Sequence, residues 1–365
     1  MKICFLAPAN SIHTVRWVNS MVARNHEVHL VSLHKETIHK IDQRVHVHYL
    51  PIPAPLGYYG NFLFAKRLLK NIKPDILNTH YASGYGTLSR FIDYTPTLLN
   101  VWGSDVFEFP HQSKSNYRVI VNNLLAADYI ASTSIVMRDE VKKLVDIKKE
   151  ISLTPFGVDT HVFKRLPSDA TPNDRIKIGI VKGLKAYYGV EYLIRSIPIL
   201  FSLLKDNKAE SHIPKIEVEI VGHGPLYQSL KDLADSLGLS SIIDFKGEIP
   251  HHDIPKILNS FDIYCAPSIA ESFGVAVLEA SACGLPVIVT DVGGLPEVVR
   301  EKETGFIVNA KDPKAIAEKL YQLVVDPDLR KRIGKNGEEF VRENFSWDKS
   351  VDVMEKVYKE ILNQH

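Results

Sequence analysis

Two α/β units, each a parallel sheet covered by helices, are the fold class this chain predicts, and three observations predict it. Apolar runs of strand length alternate with amphipathic segments of helix length. The 365 residues, 45% of them hydrophobic, suffice for two buried cores. Near the middle, an irregular stretch between Pro155 and Asp174 carries Pro155, Gly157, Pro167 and Pro172 and interrupts the alternation, as a linker or hinge would.

In the first unit, strands are predicted at 2–8, 27–32, 45–50, 75–80, 97–102, 129–133 and 151–155, with helices between most of them. The opening MKICFLAPANS is too short and too soon polar for a secretory signal, and it reads as the first buried strand. The second unit restarts at 176–181 and continues through 217–221, 242–246, 263–266, 287–290 and 306–308. Beyond Asp312 the chain reads as helical, through AIAEKLYQLVV, a charged stretch near 329–343 and SWDKSVDVMEKVYKEIL. Repeats of solenoid period and low-complexity tracts are absent from the sequence.

No window approaches eighteen consecutive apolar residues, so no membrane-spanning helix is expected and the cytoplasm is the expected location. Cys4, Cys265 and Cys283 sit in apolar runs without a CxxC spacing, which predicts buried free thiols. The net charge of +1 argues against nucleic acid as a principal partner. That sum hides an asymmetry, with roughly 20 basic and 13 acidic groups in residues 1–165 against roughly 24 and 30 in the remainder. A basic first half suits peripheral contact with an anionic membrane or a phosphorylated lipid carrier; chance distribution of surface charge accounts for it equally well. Tyr58, Tyr59, Phe62 and Phe64, followed by Lys66, Arg67, Lys70 and Lys73, read either as a membrane-facing amphipathic helix or, the preferred reading, as a core helix with a solvated basic face.

The most informative segment is ESFGVAVLEASACGLPVIVTDVGGLPEVV, residues 271–299, which sets Glu271 and Glu279 eight positions apart around a helix start. Ser272, Phe273 and Gly274 read as the entering loop, so Gly274 and Val275 would present free backbone N–H groups and the positive end of the helix dipole to an anion such as a diphosphate. Eight helical residues span about 12 Å, roughly the reach of a nucleoside-diphosphate sugar, and carboxylates accept hydrogen bonds from sugar hydroxyls. Gly284-Leu285-Pro286-Val287 and Gly293-Gly294-Leu295-Pro296-Glu297 follow.

In these residues, and in their order, the chain resembles retaining glycosyltransferase family 4, with its E-x7-E signature. The resemblance implies the GT-B fold: an N-terminal Rossmann-like acceptor-binding domain, 1–165, and a C-terminal Rossmann-like nucleotide-sugar-binding domain, 174–346, facing across a cleft. It also implies that the C-terminal helix, within 347–365, crosses back to the N-terminal domain. Metal-independent transfer is implied as well, and neither metal nor cofactor is expected; Asp326-Pro327-Asp328, the single Asp-x-Asp, reads as a helix cap.

Site residues follow from the same resemblance. In VKGLKAYYGVEYLI the family carries an arginine and, six residues on, a lysine; here Lys182 and Tyr188 occupy those places, with Lys185 between them. Lysine contacts phosphate as a point charge, so Lys182 and Lys185 are assigned jointly to the diphosphate, surface lysines of a loop being the plainer alternative. Glu279 is the implied ribose ligand, the backbone around Gly247, Glu248 and Ile249 the place where the base is read, and Gly222-His223-Gly224-Pro225 the tight loop beneath the donor. As a dinucleotide fingerprint that loop fails, since Tyr227 holds the third glycine position. His80, ending DILNTH, matches the family's histidine after its fourth strand and is assigned to the sugar or the reaction centre, with Glu271 and Lys182. Asp105 in VWGSDVF is either polar machinery near the acceptor or a turn and cap residue. The first loop lacks the glycine pair many family members carry, so Asn10, Ser11 and His13 are placed on the acceptor side, helix capping accounting for them equally.

The reading is a hexosyltransferase that retains anomeric configuration and moves a sugar from a UDP- or GDP-linked donor to a hydroxyl of a glycan or lipid-linked acceptor in polysaccharide or glycoconjugate biosynthesis. The alternatives are a GT-B nucleotide-sugar epimerase, which needs no acceptor, a non-catalytic nucleotide-sugar-binding protein, or a nicotinamide-dependent oxidoreductase on a similar sheet, which the incomplete Gly-x-Gly-x-x-Gly disfavours.

Overall fold

The computed structural model describes residues 1–36, 40–166, 175–206 and 214–364. Pro167 and Pro172 of the expected linker lie outside the described residues. Two compact units are present, Met1–Pro155 with Ser350–His365, and Phe156–Lys349.

The first unit holds a seven-stranded parallel sheet in the order β3-β2-β1-β4-β5-β6-β7. Its strands are β1 (Lys2–Leu6), β2 (Glu27–Ser32), β3 (His46–Tyr49), β4 (Ile76–His80), β5 (Thr97–Val101), β6 (Tyr129–Ser132) and β7 (Ile151–Leu153). Every residue of β4 and β5 is buried, the polar Asn78, Thr79, His80, Thr97 and Asn100 included. The second unit holds six parallel strands, β8 (Arg175–Val181), β9 (Lys215–Val221), β10 (Ile243–Gly247), β11 (Ile263–Ala266), β12 (Val287–Thr290) and β13 (Gly305–Val308), in the order β10-β9-β8-β11-β12-β13. Its core packs Ile178, Ile180, Val218 and Ile220 of the sheet with Leu193, Ile197 and Leu320 of the covering helices.

Both sheets share one consequence of topology. The strand order reverses between β1 and β4 and again between β8 and β11, and open α/β sheets bind ligands at the carboxyl ends of strands flanking such a reversal. His80 ends β4, Lys182 directly follows β8, and Glu271 lies in the loop after β11.

The final helix, Trp347–Leu362, joins the first unit from Ser350 onward. It buries Met354, Val357, Tyr358 and Ile361. Arg24 Nη1 donates to Asp352 Oδ1 at 2.8 Å, His26 Nε2 meets Glu355 Oε1 at 2.7 Å, and Asn78 of β4 hydrogen-bonds the Tyr358 hydroxyl. The C-terminal helix therefore returns to the N-terminal unit.

The segment around Phe62–Ile72 is a core helix with a solvated basic face, Tyr58 and Phe62 packing on the core and Arg67, Lys70 and Lys73 being exposed. It differs from the preferred sequence reading in its exposed apolar residues. The helix buries Ala65, Leu69 and Ile72, while Leu63 and Phe64, with Tyr59 just before them, are exposed. The three cysteines are buried and free, and burial pushes each thiol pKa up, that of Cys283 to about 12.

Candidate active site

Lys182 and Glu271, 89 residues apart, meet at the reversal of the second sheet. Lys182 Nζ lies 2.5 Å from Glu271 Oε2, and the side chains are only 11% and 9% exposed. The same ammonium sits 4.4 Å from the centre of the Tyr188 ring, a cation–π distance. Tyr188 thus supplies an aromatic wall where the family carries a second cation. Lys185 goes elsewhere: it is exposed, with Nζ 5.6 Å from the Tyr187 ring centre.

Glycines fix the backbone on either side of this pair. Gly222 adopts φ +138°, and a Cβ there would stand 1.9 Å from the carbonyl oxygen of Lys182. Gly293, at φ +52°, would place a Cβ 1.7 Å from the Glu271 carbonyl oxygen, which already accepts the Gly294 N–H at 3.0 Å. The Gly222–Gly224 turn and the Gly-Gly-Leu-Pro-Glu stretch are therefore the two supports on which the ion pair rests.

The predicted helix start is present. Val275–Ala282 is helical, Gly274 precedes it at φ +110°, and its first N–H groups have no carbonyl of their own helix to bond. Phe273 differs from a ligand-facing residue, since its ring is buried edge-on against Phe156 and Phe345, leaving only its backbone available. Ser272, Val275 and Ile249 are half-buried, and Gly224 packs against the Leu184 backbone. Glu279, one turn into the helix, is also paired: His251 Nε2 lies 3.0 Å from its Oε1. Each carboxylate meets its partner through one oxygen, and a carboxylate's remaining acceptor capacity can serve a sugar hydroxyl. The reading from sequence missed His251, because a contact 28 residues away leaves no local signal.

In the first unit, the reversal point gathers an aromatic and imidazole cluster. His80 is fully buried, its ring centre 4.1 Å from that of Trp102 and 5.4 Å from that of Phe5. Its Nδ1 lies 3.5 Å from Thr14 Oγ1, whereas Nε2 has no hydrogen-bond partner among the described residues. Burial, reinforced by nearby His13, holds its pKa well below the usual histidine value, so the ring is neutral. His13 approaches Trp102 edge-on at 5.8 Å, and Tyr81, at φ +69°, does so at 5.0 Å. A non-glycine aromatic residue in the left-handed region is strained, and such strain concentrates at functional sites. Tyr81 and Trp102 are members of this cluster that the sequence reading did not single out.

Asn10 is exposed at the mouth of the first loop, and Ser11 precedes helix Ile12–Ala23 without capping it by its side chain. Asp105 is committed to the backbone: Oδ2 accepts from Ala82 N at 2.8 Å, and Oδ1 from Gly103 N at 2.8 Å and Trp102 N at 3.1 Å. It ties the loops after β4 and β5 together, which is the turn role left open for it. Burial raises its pKa against the opposing pull of those N–H groups.

Residues 164–340 match the family described as glycosyl transferases group 1, and residues 2–134 match glycosyl transferase 4-like. The D-inositol 3-phosphate glycosyltransferase of Corynebacterium glutamicum is 30% identical over 334 residues, spanning 85% of this chain and 78% of the relative. The chain belongs to the glycosyl transferases group 1 family. Two solved structures place this glycosyltransferase in the GT-B fold. Sucrose-phosphate synthase from Thermosynechococcus elongatus matches with TM-score 0.82 at 20% identity, all of both chains being covered. Anabaena HepE in complex with UDP-glucose matches with TM-score 0.75 at 18% identity over 98% of this chain and 100% of its own. Asp326-Pro327-Asp328 of the glycosyltransferase opens helix Pro327–Asn344, where the Asp326 side chain accepts from Leu329 N as a cap. Among the described residues no helix is long and apolar enough to cross a membrane.

Proposed function

We propose that this glycosyltransferase retains configuration at the anomeric carbon while moving a hexose-type sugar from a nucleoside-diphosphate donor to a hydroxyl of a glycan or lipid-linked acceptor, without a metal. The observation that carries the reading is the Lys182–Glu271 pair beside the start of helix Val275–Ala282. Cleaving the bond to a nucleoside diphosphate leaves charge on phosphate, and a fixed ammonium with unpaired helix N–H groups stabilises it in a site largely shielded from water. Lys182 donates toward the phosphates. Glu271 Oε2 fixes that ammonium while its other oxygen accepts from sugar hydroxyls and supports positive charge at the anomeric carbon. Glu279 accepts from the ribose, held in direction by His251. The acceptor oxygen bonds to the anomeric carbon from the face the nucleotide leaves, and its proton passes to the departing phosphate oxygen, so no side-chain nucleophile is needed. His80, neutral and with Nε2 unpaired, is closed to solvent in this structure, and accepts a hydrogen bond from a substrate hydroxyl only when the ring cluster around it opens.

The UDP-glucose complex of HepE supports a uridine donor as the first to test, and the Corynebacterium relative's name supports a hydroxylated, phosphorylated acceptor. A panel of UDP- and GDP-sugars, followed by thermal shift and by turnover with and without acceptor, tests the reading. At least one donor is expected to raise the melting temperature by mass action, and Glu271→Ala to cut transfer by roughly a hundredfold or more. Unchanged transfer in Glu271→Ala and Lys182→Ala would sink it, and sugar inversion without acceptor would point to an epimerase.

A further inference from the structure

The part of the first unit around helix Phe62–Ile72 carries an apolar, basic surface that the transfer chemistry does not use. Leu56, Tyr59, Leu63, Phe64 and Phe91 are between 41% and 75% exposed, more large apolar side chain than a solvated face needs. They are neighbours rather than scattered residues. Leu63 and Phe64 share the outward side of one helix, and Phe91 contacts both Tyr59 and Phe62, with ring centres 6.2 and 6.1 Å apart.

Charge along residues 51–74 has one sign. Residues 51–74 contain four lysine or arginine residues and no acidic residue. Arg67 and Lys70 are exposed on the outward side of the same helix, and the Arg90 guanidinium lies 4.8 Å from the Phe91 ring centre. Apolar tips protruding beside basic side chains suit insertion at the boundary between anionic headgroups and acyl chains, aromatic rings and leucines entering and cations staying with the phosphates. A second copy of the same surface fits poorly, because pairing this helix with itself would oppose cation to cation with no carboxylate from 51–74 between them.

We infer that this surface docks the glycosyltransferase on an anionic lipid bilayer. Docking needs no sugar nucleotide, so its outcome is separable from that of the donor reading. The test is co-sedimentation of the full chain with vesicles of phosphatidylcholine alone and of phosphatidylcholine with about one third phosphatidylglycerol, at low salt and about 0.5 M salt, where charges on the surface are screened. Strong binding is expected with anionic vesicles at low salt, falling at least tenfold without anionic lipid or in high salt. Leu63→Ser with Phe64→Ser, and separately Arg67→Glu with Lys70→Glu, are each expected to lower binding at least tenfold, while circular dichroism and melting temperature stay unchanged because these side chains are exposed. Wild-type protein remaining in the supernatant with anionic vesicles would overturn the inference, as would variants that bind undiminished. Sedimentation velocity showing a dimer that Leu63→Ser with Phe64→Ser dissolves, without vesicle binding, would also overturn it in favour of self-association.

Discussion

A single ammonium shared between a carboxylate and an aromatic face is the residue-scale feature on which the donor chemistry turns. Lys182 touches both Glu271 and Tyr188, and leaving Glu271 without its partner would cost about 3 kcal/mol in a site this shielded. Lys182→Ala is therefore expected to lower both turnover and melting temperature, and Lys182→Arg to restore much of the stability; a Lys182→Ala protein melting like the wild type would contradict the pairing. Asp105 makes a different commitment, three backbone N–H groups to one carboxylate. Asp105→Asn turns an amide donor toward those donors and is expected to cost roughly 2–4 kcal/mol in chemical denaturation. Histidine protonation sets the acid limit. Burial lowers the pKa values of His29, His34, His48 and His80, so below the ordinary histidine value of 6.5 the unfolded chain takes up protons that the folded chain refuses. Stability is accordingly complete above that pH and declines as pH falls toward the depressed values. Thermal melts at pH 7.5 and 5.5 are expected to show the loss, and equal melting temperatures would exclude it.

At the scale of elements, loops decide where the chemistry stands. Gly293→Ala forces a Cβ toward the Glu271 carbonyl at a positive φ, so it is expected to cost more than about 2 kcal/mol and to depress transfer even though residue 293 need touch no substrate. A Gly293→Ala protein of wild-type stability and activity would show that the loop tolerates displacement. The strands were legible because buried parallel strands are mostly apolar, as Ile263–Ala266 and Val287–Thr290 are; Ile76–His80 is instead buried with Asn78, Thr79 and His80 in it. The helix start at Gly274 and Val275 was legible from turn residues preceding a helix-forming run. Contacts across many residues were not. The His251–Glu279 bond and the separate directions of Lys182 and Lys185 depend on how distant loops close, which spacing along the chain does not encode. Helix Phe62–Ile72 was legible as a core helix with a solvated basic face, through Ala65, Leu69 and Ile72, but its second apolar side, exposed through Leu63 and Phe64, was not.

At the scale of the whole molecule, each unit repeats one strand order, and the first is finished by the last helix. Ending the chain after Lys349 would strip Met354, Val357, Tyr358 and Ile361 from the first core. At about 1.5–3 kcal/mol per buried side chain, that loss rivals a domain's entire stability of roughly 5–15 kcal/mol. The truncated protein is expected to aggregate or to melt far below the full chain, and a melt matching the full chain would refute a structural role for the helix. Within the second unit, Val158 N–H bonds the Phe345 carbonyl and Trp347 N–H bonds that of Val158, both at 2.8 Å, so the segments entering and leaving that unit are laced together. This arrangement bears on biosynthesis. A ribosome releases residues 156–349 in full before the helix that completes the earlier-made unit has emerged, so maturation runs opposite to translation: the later-made unit can close while the earlier one waits, one flank uncovered, for a helix synthesised after both.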